Sequence, residues 1–527
     1  MFKRLMMLAI LCCFTVMLVA CGGNTQGTTR KDKNEIVVSM GKYIVNGGYD
    51  PTAGWGTWAP DPIHSALFTH DKDNKLVKEL ATDMQVSEDG LRYTVAIRDD
   101  VKFSDGKPLT AEAVAFTFET AKNAGGAVDL SYMESVKVID ATHVEFVLNR
   151  AWSVFPETLS TVGIVAPHAY GPDYGSKPVG SGPWKVSSFQ KEQQLILEPN
   201  EYYYGTKPKL KKITVIHIGE DAALAAAQSG QVDILFVDPE FTKNPVKGMK
   251  VLNLETIDSF TINMPMDPER EENGMIVGNN VTSDPAIRHA LNIGVSRETI
   301  IKNALGGFGV PTFTYSKHLP WASRELDVKD GRVEEAKVLL EEAGWKDTDG
   351  DGIREKNGVK AEFIINGRSN DLQRYNTAVA FADEAKKLGI NIIAKSTAWS
   401  EARKIARNQP TVWAFGDYSA QSLYNYFHSS QIGLNVINNP AMYNNPVVDA
   451  HIEAAMAATS AEEADRIFRL SQWDGVTGPK EDLPYIWVAN CNLAYLVNEN
   501  LDLGSLRIGE RGQGMGIVYN MEEWQWK

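Results

Sequence analysis

Apolar and polar residues alternate over short runs along much of this chain, and between those runs the apolar spacing lengthens to that of a helix. Glu35 to Met40 (Glu-Ile-Val-Val-Ser-Met) is rich in β-branched residues and reads as a strand. It ends in the loop Asn46-Gly-Gly-Tyr-Asp-Pro-Thr, where a glycine-rich turn at a strand end favours ligand contacts. Leu91 to Ile97 alternates strictly after the turn Glu88-Asp89-Gly90 and predicts an amphipathic strand. From Thr110, a capping residue, the pattern puts Ala113, Val114 and Phe118 on one face of a helix. Gln194 to Glu198 and Lys212 to His217 return to strand spacing, and Asp221 to Ser229 reads as a helix stopped by Gly230.

Beyond Asn279 the helical pattern dominates. Asp284 to Gly294 and Ser296 to Leu305 predict successive helices, followed by Glu334 to Gly344 and Thr377 to Leu388. Strand-like runs follow the last two, at Ala361 to Ile365 and Ile390 to Ala394. Interleaved strands and helices indicate an α/β fold, and no fixed-period repeat is present. A length of 527 residues exceeds what one hydrophobic core organises, so two or more lobes are expected, with the second beginning between Ser259 and Asn279.

The N-terminus has its own grammar. Lys3 and Arg4 precede an apolar run, Leu5 to Leu18, that is short for a membrane span and reads as the core of a signal peptide occupying residues 1–20. Leu18-Val19-Ala20-Cys21, followed by Gly22-Gly23, resembles the lipobox of bacterial lipoproteins, which makes Cys21 the expected lipid-modified anchor. Residues 21–34, rich in Thr, Gly and Lys, then form a flexible tether between membrane and domain. No later run is long and apolar enough to span, so the expected location is extracytoplasmic and lipid-anchored.

Charge and cysteine content narrow the function. The formal net charge of −14 grows more negative once Lys3 and Arg4 leave, which argues against nucleic acid as a partner. Cys12 and Cys13 leave with the leader and Cys21 is committed to lipid, so Cys491 stands alone, without an internal disulfide, in the apolar run Tyr485 to Val497. No GxSxG, P-loop or HExxH motif occurs, and the nine histidines lack metal-ligand spacing. The chain is therefore not expected to be an enzyme or to carry a cofactor or a protein-held metal. Asp347-Thr-Asp-Gly-Asp-Gly-Ile-Arg-Glu begins like a calcium loop, but its twelfth position is Gly358 where a glutamate should stand, and a hairpin-type turn is the better reading. Glu462 and Asp465, at helical spacing, read as a solvated face.

Whole blocks then resemble one family. They are Lys78 to Thr94 (Lys-Glu-Leu-Ala-Thr-Asp-Met-Gln-Val-Ser-Glu-Asp-Gly-Leu-Arg-Tyr-Thr) and Ile97-Arg-Asp-Asp-Val-Lys-Phe-Ser-Asp-Gly-Lys-Pro-Leu-Thr-Ala-Glu. Pro178-Val-Gly-Ser-Gly-Pro-Trp-Lys-Val, Asn200 to Leu210, Gln228 to Ile234, Asp284 to Asn292 and Glu335 to Glu355 follow in order. Together these resemble the oligopeptide-, dipeptide- and nickel-binding proteins of ABC importers over nearly all of Glu35 to Lys527. The resemblance implies a type II periplasmic-binding-protein fold: two lobes closing about a hinge, with an extra subdomain inserted in lobe one. Carried over, lobe one is 35–69, 178–260 and 485–527, the inserted subdomain is 70–177, and lobe two is 261–484. A monomer that captures short peptides and delivers them to ABC permease subunits is implied, with a nickel or other metal chelate as the alternative ligand.

The same resemblance suggests ligand contacts. Asp417, in Trp413-Ala-Phe-Gly-Asp-Tyr, matches the aspartate that pairs with a peptide's amino terminus in peptide-binding relatives. Arg368 and Arg374 both lie where dipeptide-binding relatives hold the ligand carboxylate, and the register leaves either open. Loop aromatics complete the expected pocket: Tyr49, Trp55 and Trp58 from lobe one, and Trp399, Trp413 and Tyr418 from lobe two, each with ordinary core packing as its alternative. His428 is the histidine placed to matter if the ligand is a metal chelate.

Overall fold

The computed structural model describes residues 33–40, 48–56, 61–124, 128–315, 317–510 and 515–527. Cys21 and Trp58 lie outside these described residues, as do the proposed leader and all but the last two residues of the tether. Among the described residues no helix is long and apolar enough to cross a membrane.

Lobe one is built on seven strands in the order Met249–Leu254, Leu493–Asn498, Ile234–Val237, Glu35–Ser39, Lys212–Ile216, Gln194–Pro199, Trp184–Gln190. The first strand of the chain is central, running parallel to both neighbours with Val38 opposite Val215 and Ile234. That position needs apolar residues on both faces. One face packs Ile36 and Val38 with Trp184, Leu195 and Tyr495, and the other takes helix Glu220–Gln228 through Ala223 and Ala227. The helix ends as its sequence predicts, with Gly230 left-handed at φ 74°.

The inserted subdomain is a four-stranded antiparallel sheet, Ala81–Val86, Arg92–Ile97, His143–Leu148, Met133–Val138. Its first hairpin closes through Gly90 at φ 69°, and helix Ala111–Ala124 covers it with Ala113, Val114 and Phe118 buried.

Lobe two centres on a second four-stranded sheet, Gly309–Pro311, Tyr485–Cys491, Ser259–Asn263, Val412–Phe415. Beside it runs the parallel pair Glu362–Arg368 and Asn391–Thr397, under helices Pro285–Gly294, Arg297–Ala304, Val333–Glu342 and Leu372–Lys386. Asp284 and Ser296 cap the first two of these through the N–H groups of Ala286 and Thr299. The fourth begins five residues before the sequence pattern suggests, because Asp371 caps it by accepting from the Arg374 N–H at 3.2 Å. The acidic loop at Asp347 leads into a hairpin, Glu355–Lys356 against Val359–Lys360, turning through left-handed Asn357 and Gly358.

Strand pairing moves two lobe boundaries. Ser259–Asn263 and Tyr485–Cys491 pair with each other, Phe260 opposite Ala489, so both belong to the lobe-two sheet. The chain returns to lobe one after Cys491, not at Tyr485, and it leaves before Ser259, not after Phe260. Every residue of Tyr485–Cys491 is buried, so its own pattern cannot say which sheet it joins. The two crossings lie side by side: the Thr256 hydroxyl donates to the Cys491 carbonyl at 2.5 Å, and the Cys491 N–H to the Asp258 carbonyl at 2.8 Å. Cys491 is a buried free thiol.

The inserted subdomain and lobe two share one apolar core, which runs from Trp152 and Phe155 to Phe415, Tyr418 and Phe427. The Ser153 N–H and hydroxyl donate to the carbonyls of Met456 and Ala455, both at 2.8 Å.

Candidate ligand cleft

Strand Val412–Phe415 separates its two faces in the ordinary period of two. Val412 packs into the lobe-two core, while Trp413 and Phe415 face the shared aromatic core. The strand ends at Gly416, where a side chain is excluded: a Cβ would stand 2.4 Å from the Asp258 carboxylate carbon. Asp258, on the chain crossing, is thereby held against the turn that presents Asp417.

Asp417 is half-buried and accepts hydrogen bonds from the Ser422 hydroxyl at 2.6 Å and the Tyr315 hydroxyl at 3.4 Å. Burial pushes its carboxyl above the usual range, and the two hydroxyls pull the other way. Among the described residues no basic side chain pairs with it. Around it lies an aromatic wall: Phe415 stacks on Tyr426 with ring centres 3.9 Å apart, and Tyr315 meets Trp487 at 5.5 Å. Trp413 is committed to that wall, its Nε1 donating to Asn263 Oδ1 at 2.9 Å and its ring meeting Trp399 at 5.2 Å. Tyr418 points the other way, stacking on His70 at 3.8 Å with its hydroxyl donating to that of Tyr519 at 3.0 Å.

The two candidate arginines converge. Arg368 closes strand Glu362–Arg368, Arg374 stands in the first turn of the helix that follows, and their guanidinium groups lie 5.3 and 5.9 Å from the Trp399 ring centre. Gly367 permits this, since a Cβ there would stand 2.4 Å from the Tyr375 Cα. Arg374 pairs with Asp371 at 3.2 Å, and Arg368 Nε donates to Asn370 Oδ1 at 2.7 Å. Both line a cavity of about 500 Å3 between the lobes, with Ser39, Ile218 and Asp238 on the lobe-one side and Asp258 at the crossing.

Three expected contacts sit elsewhere. Tyr49 and Trp55 are in the lobe-one core, packed edge to face at 4.8 Å, with Tyr49 also against Phe189 at 5.1 Å. Their loop folds inward because Asp50 accepts from the Thr52 N–H and the Tyr49 N–H donates to the Gly175 carbonyl. His428 ends helix Gln421–Phe427, where its Nδ1 accepts from the Ser430 N–H at 3.1 Å and its Nε2 lies 3.3 Å from Glu453. It does not line the interlobe cavity, and neither do Asp417, Trp399, Trp413 and Tyr418.

Residues that the sequence pattern passes over also matter. Tyr315 and Ser422 hold Asp417, and Asp258 supports its turn. Behind Tyr418 a second chamber of about 490 Å3 is lined by His70, Glu79, Arg507, Glu510 and Tyr519. Tyr418 is the chamber residue that the sequence reading proposes as a ligand contact, while Lys78, Glu79, Arg98, Tyr203 and Tyr204 stand in the family-like blocks without an assigned role.

Known proteins share this architecture. The family model for bacterial extracellular solute-binding proteins, family 5 (middle region), matches residues 75–433. The oligopeptide-binding protein AppA of Bacillus subtilis (strain 168) is 27% identical, with 99% of this chain and 98% of that protein covered. The nickel-binding periplasmic protein of Escherichia coli (strain K12) is 28% identical over 64% of this chain and 66% of its own. The structure of Bacillus subtilis AppA in complex with a nonapeptide superposes with a TM-score of 0.69 at 25% identity, covering 94% of this chain and 99% of that one. NikZ from Campylobacter jejuni in complex with Ni(L-His) gives 0.75 at 24% identity, with 94% and 100% covered. The fold is that of the type II periplasmic binding proteins.

Proposed function

This chain belongs to the bacterial extracellular solute-binding proteins of family 5, and from that premise we propose that it captures short peptides between its lobes for an ABC permease. Members of this family bind a solute for transport and are not enzymes. The observation that carries the peptide reading is Asp417, a half-buried carboxylate with two hydroxyl donors and no basic partner among the described residues. A peptide's α-ammonium supplies the missing charge. Arg368 and Arg374, at the interlobe cavity, offer planar two-point donors suited to the opposite end, a carboxylate. A hinge at the paired crossings near Thr256 and Cys491 lets the lobes close over the ligand. The peptide reading is preferred to the metal-chelate alternative, whose sequence candidate His428 bonds to Ser430 and lies against Glu453.

Lipid anchoring at Cys21 and delivery as a monomer complete the proposal, supported by the lipobox and by the family. Calorimetry with a free tetrapeptide, its N-acetylated form, and nickel with histidine tests it. The free peptide should bind, and acetylation should weaken binding by about 2 kcal/mol or more, the scale of losing one partner of a desolvated charge pair. Tight binding of nickel with histidine and none of peptide would overturn it.

A further inference from the structure

Glu510 sits in the chamber behind Tyr418 and is only 8% exposed. Its N–H donates to the Tyr519 hydroxyl at 3.2 Å, and its carboxylate accepts from the Tyr418 N–H. Among the described residues no basic side chain pairs with it. The basic groups that share the chamber are engaged elsewhere. Arg507 donates to the His70 carbonyl and covers the Tyr519 ring at 3.9 Å, Arg98 pairs with Asp100 at 2.7 Å, and Lys78 donates to the Thr82 carbonyl at 2.7 Å. His70 pairs with Glu157 at 2.8 Å. Burial is the largest cause pushing the Glu510 carboxyl up, and the acidic groups Asp417, Asp258 and Glu157 add to it.

A buried carboxyl group with no basic partner among the described residues suits a cation that arrives with the ligand. Among the described residues a cluster of three groups able to hold a metal ion gathers at Asp347, Asp349 and Glu355 and not at Glu510. An organic cation carried by the ligand suits Glu510 better. Tyr418 directly follows Asp417 and walls the chamber that holds Glu510, so one step along the backbone joins the two acidic sites.

We infer that Glu510 selects ligands whose first residue is basic, with the α-amine at Asp417 and the side-chain ammonium or guanidinium in the chamber at Glu510. The inference rests on the peptide reading above. Its walls suit such a chain: Tyr418 and Tyr519 flank the aliphatic stem while the charged tip reaches the carboxylate.

Calorimetry on the whole protein with Lys-Ala-Ala-Ala and its norleucine counterpart separates the two ideas. The wild type should favour the lysine peptide by about tenfold or more, the worth of one charge-assisted hydrogen bond. Glu510→Gln should bring that ratio close to one, and Glu510→Asp should restore part of it. Equal affinity for both peptides in the wild type overturns the selection by Glu510 while leaving the peptide reading intact. A lysine preference that survives Glu510→Gln overturns it too. Binding of neither peptide removes the peptide reading, and this inference with it.

Discussion

The hydroxyl of Tyr315 holds Asp417 at two points, accepting from its backbone N–H at 3.1 Å and donating to its carboxylate at 3.4 Å. One buried phenol thus fixes both the turn and the charge that the turn presents. Tyr315→Phe removes the acceptor and leaves the Asp417 N–H unpaired, which costs about 1–3 kcal/mol. Urea denaturation should show a lower midpoint with an unchanged slope. Peptide affinity should fall in the same variant, because the carboxylate keeps only Ser422 to orient it.

The arginine pair gives a prediction about the far end of the ligand. Arg368→Gln combined with Arg374→Gln should weaken a free-carboxylate peptide about ten- to a hundredfold, since a hydrogen bond to a charged group contributes roughly 1.5–3 kcal/mol. Amidating the peptide should weaken wild-type binding comparably and add little in the double variant, because both changes remove one interaction. Full additivity, measured as a double-mutant cycle by calorimetry, would place the carboxylate elsewhere.

Glu79 makes stability depend on pH. Burial raises its carboxyl to about 7, against partners that lower it, the Ala66 N–H and the hydroxyls of Ser65 and Tyr204. Because the folded state holds the proton more tightly than the unfolded chain, its contribution is complete below about 4.5 and is lost as pH rises through about 7. Thermal melts of wild type and Glu79→Gln between pH 5 and 8 should therefore diverge, with Tm of the wild type falling relative to the variant as pH increases. Parallel curves would show that Glu79 does not titrate in that window.

Cys21→Ser should release the protein from membranes, because the proposed anchor is the lipid on that cysteine. Fractionation of cells followed by detergent-free washing reads the outcome directly. A variant that stays with the membrane pellet refutes the anchor.

What the sequence reveals follows the range of the interactions involved. The helices at Asp284 and Ser296 are legible because their caps lie within three residues of the groups they satisfy. The first strand is legible because β-branched residues in a short run need no partner to be noticed. By contrast, the sheet that claims Tyr485–Cys491 is decided by pairing with residues more than two hundred positions earlier, which no local pattern carries. The same holds within the site. Asp417 and the two arginines stand in recognisable segments, whereas Tyr315 and Glu510 are brought to them from about a hundred residues away. Tyr49 and Trp55 mislead for the opposite reason: a glycine-rich loop looks exposed, yet its rings turn inward onto Phe189.

The apolar core shared by the inserted subdomain and lobe two sets how fast the protein can fill. Trp152 against Tyr424, together with the Ser153 bonds to Met456 and Ala455, ties the inserted subdomain to lobe two. If the proposed ligand enters past this seam, entry means wetting it, and association is then limited by the parting of the seam rather than by collision. Association rates followed by stopped flow should accordingly climb with peptide concentration and then level off, the plateau being the frequency with which the seam parts. Trimming Tyr424 to leucine would raise that ceiling, turning a slow, retentive carrier into a faster and leakier one.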